Sequence, residues 1–383
     1  VEGDNVFMKY VPAFDLKRNY ESMKDEIKEA LDRVLESQRF ILGEEVEKFE
    51  SEVASYLEVE HAVSCGSGTD ALFLSLMSLD IKDGDEVITT PYTFFATASA
   101  IAKLRAKPVF VDIDPLTYNI DVDKVGEYIT PHTRAVIVVH LFGLMTPVEK
   151  LEPLLKDKGI HLIEDCAQSF GAWRRIDGKI RRCGTIGTLG CFSFYPTKNL
   201  GGYGDGGLVT TNIGPLGERI KRLRAHGCSG EYIHEELGMN SRLDAIQATI
   251  LRCRLRHVDD WNRKRRIIAE RYRLLFNVYK ISEFVKAPNE DEDNYHVYHQ
   301  YVVRCAKRDE LSKYLDENGV GTRVYYPLPL HLQPVFESLG YKKGDFPEAE
   351  RLSQDSLALP MYPELTPEEQ EYVVKIMAKF YRQ

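Results

Sequence analysis

The chain has 383 residues, 43% of them apolar, seven cysteines and a net charge of −9, which suits two globular domains better than one core. The acidic balance, without any long Lys/Arg block, argues against a nucleic-acid partner, and no apolar run approaches the length of a membrane span. The opening "VEGDNVFMKY" lacks the charged-then-apolar order of a secretion signal, so the expected location is the cytoplasm, where scattered cysteines without a C-x-x-C pair read as small core residues.

From Tyr20 to Leu35 the apolar spacing is helical, and "GEEVEKFESEVASYL" opens a second helix after Gly43. Short Val- and Ile-rich runs follow: "HAVSC", "DEVITT", "KPVFVDI", "RAVIVVH", "IHLIED", "TLGCFSF" and "GGLVTT", most of them separated by helix-length segments. This alternation predicts an α/β fold with a mainly parallel seven-stranded sheet covered by helices on both faces. A long helical stretch runs from about Leu243 through "LDAIQATILRCRLRHVDDWNRKRRIIAERY", within which Arg263 to Arg266 read as a solvated face or a subunit contact. "APNEDEDNYH" is expected to be a mobile polar loop, "HQYVVRC" and "GTRVYYP" strands, and the last helices begin near Pro347 and Pro367. The expected division is a large domain over 1–250, including the N-terminal segment, and a smaller α+β domain over 251–383, with the site at their boundary.

In such sheets ligands bind beyond the carboxyl ends of the strands. After "HAVSC" comes "GSGTDALFLSL", a glycine turn into a helix that suits a phosphate, although it is also a plain helix start. After "DEVITT", "PYTFFAT" places Phe94 and Phe95 where a flat ring could stack or where a core could use them. "IHLIED" ends on Asp165, a carboxylate that needs a salt bridge or a protonated heterocycle nitrogen. "CFSFYPTKNLGGYGDGG" adds the hydroxyl of Ser193 and the amine of Lys198, which burial would make nucleophilic, followed by glycines that admit close backbone approach. A phosphate nest, a stacking surface, a carboxylate and an amine are the contacts that pyridoxal phosphate requires. Two patterns are set aside. Gly202, Gly204 and Gly207 match G-x-G-x-x-G but precede a strand, and His296 and His299 lack a third ligand at sensible spacing, so neither a dinucleotide nor a metal is expected.

"GSGTDAL", "PYTFFATA", "VDID", "IEDCAQSFGA", "SFYPTKNLGGYGDGG", "MNSRLDAIQA" and "YYPLPLHLQP" occur in the order seen in the DegT/DnrJ/EryC1/StrS family of sugar aminotransferases, and the chain resembles that family from "FDLKRNY" to "LALPMYPELT". The resemblance implies a pyridoxal-phosphate enzyme of fold type I. It makes Lys198 the Schiff-base lysine, Asp165 the partner of the pyridine nitrogen, Gln168 the contact of the phenolic oxygen and Phe94 the stacked aromatic. Gly68, Thr69 and Ser193 match the phosphate contacts, and Asn240 resembles an asparagine that reaches the phosphate across a dimer interface, which implies a homodimer with shared sites. Tyr326 and His331 fall in a loop that resembles the one closing over the sugar. The implied reaction takes an amino group from glutamate to a nucleotide-linked keto sugar, with Lys198 moving the proton. Lysine at 198 argues against the dehydrating members, in which histidine replaces it, and against a non-catalytic regulatory protein that only binds the cofactor. The expected substrate is C3 of a dTDP-linked 3-keto-6-deoxyhexose, the alternatives being a UDP-linked 3-keto-hexuronate or a 4-keto sugar. A uronate calls for a nearby cation, whereas Glu231, Glu235 and Glu236 before Arg242 are acidic.

Overall fold

Asp15 starts the first described helix by accepting hydrogen bonds from the amides of Lys17 and Arg18, which satisfies donors that a helix start leaves open. In this computed structural model residues 10–230 and 232–383 are described; residues 1–9, where a secretion signal was sought, and Glu231 lie outside the described residues. Helix α1 (Leu16–Glu21) ends before α2 (Lys24–Ser37), so the helical spacing from Tyr20 is interrupted at Ser22 and Met23. Helix α3 (Glu44–Leu57) starts after Gly43 and buries Val46, Phe49, Val53 and Leu57 along one stripe.

Strand β1 (His61–Cys65) leads into α4 (Gly68–Ser78), β2 (Glu86–Thr89) into α5 (Ala96–Lys103), and β3 (Lys107–Phe110) is followed by β4 (Thr133–Val139), α6 (Glu152–Asp157) and β5 (His161–Asp165). A hairpin that was not foreseen, β6 (Trp173–Ile176) and β7 (Lys179–Arg182), turns through Asp177 and Gly178, both at positive φ as a two-residue hairpin loop requires. Then come β8 (Leu189–Ser193), β9 (Gly207–Thr211), α7 (Gly214–Leu223), β10 (Cys228–Gly230), β11 (Ile233–His234), α8 (Ala245–Leu255) and α9 (Val258–Val278). The remaining elements are β12 (Val285–Lys286), β13 (Asn294–Tyr295), β14 (Tyr301–Cys305), α10 (Arg308–Glu317), α11 (Pro347–Asp355), β15 (Ser356–Leu359) and α12 (Pro367–Tyr381).

The main sheet has seven strands in the order β1-β9-β8-β5-β4-β2-β3. Strands β3, β2, β4, β5 and β8 run parallel, and β9 is antiparallel to both β8 and β1. The carboxyl ends of β1, β2, β5 and β8 therefore share one edge. Both faces are buried, which is why the strands read as continuous apolar runs. Ile137 and Ile163 pack with residues of α4, α5 and α7, while Val136, Val138 and Leu162 pack with Leu151 and Leu155 on the other side. Helices α3 and α8 close the second face over Phe192 and Leu208.

A second, antiparallel sheet, β12-β14-β15, carries a core with α9, α10 and α12. The strand expected in "GTRVYYP" reduces to one bridge, Arg323 to Ala358, because the prolines at 327 and 329 offer no ladder donor. Strand β15 occupies that edge. "APNEDEDNYH" is held at several points: β13 pairs with β6, and Arg174 binds Glu149 at 2.9 Å and Asp291 at 2.8 and 2.9 Å. The expectation of a mobile loop is corrected on that ground. The long helical stretch breaks at Arg256 and His257 into α8 and α9. "RKRR" on α9 is not one face either, since Arg263 and Lys264 pair with Asp260, Arg266 pairs with Glu290, and Arg265 is buried. Val11 bridges to Val320 and the amide of Met361 donates to Ala13, so the N-terminal segment touches the C-terminal half. Among the described residues no helix is long and apolar enough to cross a membrane.

Candidate active site

The strand ends open onto a cavity of about 690 Å³ lined by Ser67, Gly68, Thr69, Phe94, Asp165, Gln168, Ser193, Lys198 and Tyr326, among others. At its β1 corner, Ser67 caps α4 by accepting from the amide of Asp70. The first-turn amides of Gly68 and Thr69 have no carbonyl within the helix to accept them. Close packing fixes this turn. A Cβ on Gly68 would stand 2.5 Å from the Cβ of Ser193, and one on Gly207 would stand 2.2 Å from the carbonyl oxygen of Ser67. Two of these glycines thus let the ends of β8 and β9 lie against a helix N-terminus suited to an anion. Gly207, one of the three glycines of the G-x-G-x-x-G pattern, serves this contact; Gly202 and Gly204 abut Gln247.

On the floor, Asp165 is 5% exposed. Its Oδ2 accepts from the hydroxyl of Thr97 at 2.8 Å and its Oδ1 from the amide of Ala167 at 3.2 Å. Burial raises its carboxyl above the ordinary range against those two hydrogen bonds and the charge of Lys198. Lys198 follows β8, its amide donating to the carbonyl of Tyr195 at 2.8 Å, and its side chain reaches into the cavity wall. The surrounding protein pushes its amine down to about 8, with Asp165 acting in the opposite direction. An amine and an acid whose ordinary pKa values lie far apart are drawn toward each other inside one cavity.

Phe94 keeps 58% of its surface exposed while its neighbours Tyr92 and Thr93 are buried, so its ring is presented to the cavity. It lies 6.4 Å from the ring of Tyr326. Gln168 is clamped at both ends, accepting from the amide of Phe142 at 2.8 Å and donating to the hydroxyl of Tyr326 at 3.0 Å. Tyr326 is held in turn by its amide, which donates to Tyr92 at 2.9 Å.

Two predicted residues are not brought to this cavity. Asn240 is exposed and pairs through its backbone with Ala225, although its neighbour Ser241 accepts from the amide of Gly66 at 2.9 Å just behind the α4 turn. His331 is a correction: it is buried with its Nε2 3.0 Å from Glu350 and its ring edge-on to Phe346, where it faces no cavity substrate. Of the acids taken to signal a neutral sugar, Glu235 and Glu236 pair with arginines of α7, Arg222 and Arg219. They do not bear on the cavity. The lining residues missed include Thr97, Tyr195, Asp205, His299, Gln300 and Tyr325. Thr97 lies in the mostly apolar "FFATASA", which holds one other hydroxyl, Ser99, so composition did not single it out. His296, paired in the sequence with His299, accepts from the amide of Tyr298 at 3.0 Å and stacks on that ring.

Behind Asp165, His140, Glu164 and Cys166 bring potential ligand atoms within 4.8 Å of one another. The oxygens of Glu164 already accept from His140 and from the amides of Gly184, Ile186 and Gly187, and Nδ1 of His140 accepts from Thr146. This cluster is a hydrogen-bonded bracket.

The family model described as the DegT/DnrJ/EryC1/StrS aminotransferase family matches residues 21–378. The chain belongs to that family. A DegT/DnrJ/EryC1/StrS relative, the "pleiotropic regulatory protein" of Geobacillus stearothermophilus, is 49% identical over 97% of this chain and 99% of its own. The dTDP-3-amino-3,4,6-trideoxy-alpha-D-glucose transaminase of Streptomyces venezuelae is 42% identical over 93% of this chain and 92% of its own. The crystal structure of S. venezuelae DesV in complex with a ketimine intermediate superposes with a TM-score of 0.93 at 40% identity, covering 98% of this chain and 99% of that one. This DegT/DnrJ/EryC1/StrS member is thus a sugar aminotransferase of fold type I, and its cofactor is pyridoxal phosphate. The side chains present fit that cofactor: an acid whose desolvation a ring N–H⁺ would relieve, an amine held near neutrality, an exposed aromatic face and a glycine-packed helix start.

Proposed function

We propose that the enzyme moves an amino group from glutamate to C3 of a dTDP-linked 3-keto-6-deoxyhexose, in a homodimer whose two subunits share each site. The observation that carries this reading is Lys198, an amine pushed down to about 8 by burial, on the same cavity as the buried acid Asp165. Lys198 would hold pyridoxal phosphate covalently and Asp165 its ring nitrogen, with Gln168 at the phenolic oxygen and Phe94 on the ring face. Gly68, Thr69 and Ser193 would hold the phosphate, joined by Asn240 of the opposite subunit. The exposure of Asn240 outside its own cavity, in a segment that also exposes Tyr232, Ile233 and Leu237, supports that crossing. We place the site between a unit of residues 1–250 and a smaller one of 251–383, the second supplying His299, Tyr325 and Tyr326 to the cavity.

When bound, the cofactor supplies an electron-withdrawing ring that acidifies the α-carbon of an attached amine. Lys198 Nζ would take the proton from that carbon and later return one, a role that its depressed pKa suits near neutral pH. Asp165 would face the protonated ring nitrogen, with the Thr97 hydroxyl and the Ala167 amide keeping it oriented. Tyr326 fixes Gln168 and narrows the opening beside Phe94. A protein that only binds the cofactor has no use for an amine tuned in this way, which sets the regulatory reading second.

Among the described residues lining the cavity, Lys198 is the sole Lys or Arg. A hexuronate carboxylate would lack a guanidinium partner there, so the neutral sugar is favoured. In the test, enzyme first aminated with glutamate receives dTDP-3-keto-6-deoxyglucose or UDP-3-keto-N-acetylglucosaminuronate in separate cuvettes. Return of the starting visible band with the first alone is expected; return with the second alone overturns the sugar assignment. Borohydride should fix the cofactor on the peptide containing Lys198, and label on another lysine removes Lys198 from its role.

A further inference from the structure

Behind Lys198, away from the main cavity, lies a small chamber of about 30 Å³ walled by the N-terminal segment, the loop after β8, helices α8 and α9, and residues 361–364. Lys198 and His299 line both spaces. Six of the side chains around the chamber each keep one buried polar atom without a hydrogen-bond partner: Asn199 Oδ1, Arg254 Nε, Arg265 Nε, His299 Nδ1, Tyr362 hydroxyl and Glu364 Oε2. Five of them, all but Glu364, are more than nine-tenths buried. Orphaned atoms at this density are rare, because each costs on the order of 1–3 kcal/mol. Three of these groups are also anchored through another atom: Arg254 donates to Asn19 at 2.6 Å, Arg265 to the carbonyl of Met361 at 3.1 Å, and Glu364 Oε1 accepts from Asn19 at 2.9 Å.

The chamber's size and its chemistry agree. A buried water needs roughly 10–15 Å³ of such space and makes about three hydrogen bonds, so this volume and six orphaned atoms both correspond to about two waters. The donor and acceptor types also choose the occupant. Arg254 and Arg265 offer N–H groups, whereas Asn199 and Glu364 offer only acceptors. Water serves both sets; a halide would be repelled by the second. Burial and the charge of Lys198 keep His299 well below its ordinary value, so its imidazole is neutral and can accept on one nitrogen and donate from the other.

We infer that the chamber is a bound-water site that links Glu364 and His299 to the back of Lys198, giving its amine a proton route that stays open when substrate fills the main cavity. Lys198 Nζ gives a proton to a chamber water while that water passes one of its own to Glu364, with neutral His299 holding the water by a hydrogen bond, and the reverse movement restores both. Only N–H and O–H bonds change, and no oxidant or reductant takes part. The proton route rests on Lys198 being the proton carrier, which borohydride labelling tests separately; the water site does not.

The test has two arms, both on holoenzyme. Crystals that resolve waters, with and without a bromide soak, should show about two waters bonded to these orphaned atoms and no bromide signal; a dry chamber or a bromide peak in it overturns the inference. In D2O, loss of the α-hydrogen from glutamate that is released unreacted, which is its exchange for deuterium, is followed by NMR and divided by turnover. Tyr362→Phe and Glu364→Gln, which keep the shape of the chamber, should slow that loss severalfold relative to turnover, a change that a purely structural role would not produce. An unchanged ratio in both variants, or no exchange in wild type, defeats the proton route.

Discussion

Replacing Glu164 by glutamine tests the bracket that holds the floor of the site. The carboxylate is fully buried and takes hydrogen bonds from His140 Nε2 at 2.9 Å and from the amides of Gly184, Ile186 and Gly187 at 2.9, 2.8 and 2.7 Å. A glutamine amide turned either way puts an NH2 group against two of these donors. A tautomer change at His140 does not relieve this, because its Nδ1 accepts from the amide of Thr146 at 3.1 Å. Two unsatisfied donor contacts in a dry interior should cost about 2–4 kcal/mol, a large part of the 5–15 kcal/mol that holds a typical protein folded. Guanidinium unfolding at fixed protein concentration and matched cofactor occupancy measures it. Burial works to raise the Glu164 carboxyl, but the His140 contact and the amides of Gly187 and Gly184 outweigh it and hold it below its ordinary 4.5. Its contribution is therefore fully present above pH 4.5 and lost as pH falls through the lower folded value, so the two proteins should converge only in acid. A variant within about 0.5 kcal/mol of wild type at neutral pH refutes the reasoning.

Gly207→Ala sets a Cβ 2.2 Å from the Ser67 carbonyl, so backbone must shift and cofactor binding should weaken at least about tenfold in an absorbance titration; unchanged affinity counts against the cradle. Asp165→Asn removes the charge that opposes burial at Lys198, so its amine should titrate below about 8 when reactivity toward an acylating reagent is followed against pH in cofactor-free enzyme. A rise instead would mean that another group sets its pKa. Arg174→Ala strands Glu149 and Asp291, and because Asp291 is 42% exposed the cost should be modest, about 2 kcal/mol, with faster proteolysis within residues 287–293 as the readout. Mixing inactive Lys198→Ala and Asn240→Ala chains should restore up to about a quarter of wild-type activity by random pairing, and no recovery in verified mixed dimers removes the shared site.

Much of this site was legible because its parts lie at strand ends. The runs "HAVSC", "IHLIED" and "TLGCFSF" become β1, β5 and β8; Asp165 and Ser193 end their strands, and Gly68 and Lys198 lie in the turns that follow β1 and β8. A strand buried on both faces announces itself by composition, and the residue after it is then placed by chain geometry alone. His331, in contrast, sits in a suggestive segment but is drawn to Glu350, 19 positions away. Arg265 looked like part of a solvated basic run until the helical turn carried it inward beside Arg254.

The sequence by itself thus determined the parallel sheet, the helix start at Gly68 and the amine and acid at the strand ends, since each depends on neighbours a few residues away. Tertiary structure alone decided that Thr97 meets Asp165, that His299 and Glu364 share a chamber with Lys198, and that Asp291 is pinned by Arg174. Those contacts join segments tens to more than a hundred positions apart. Local pattern carries no record of them, because burial and hydrogen-bond satisfaction are settled only when such segments pack.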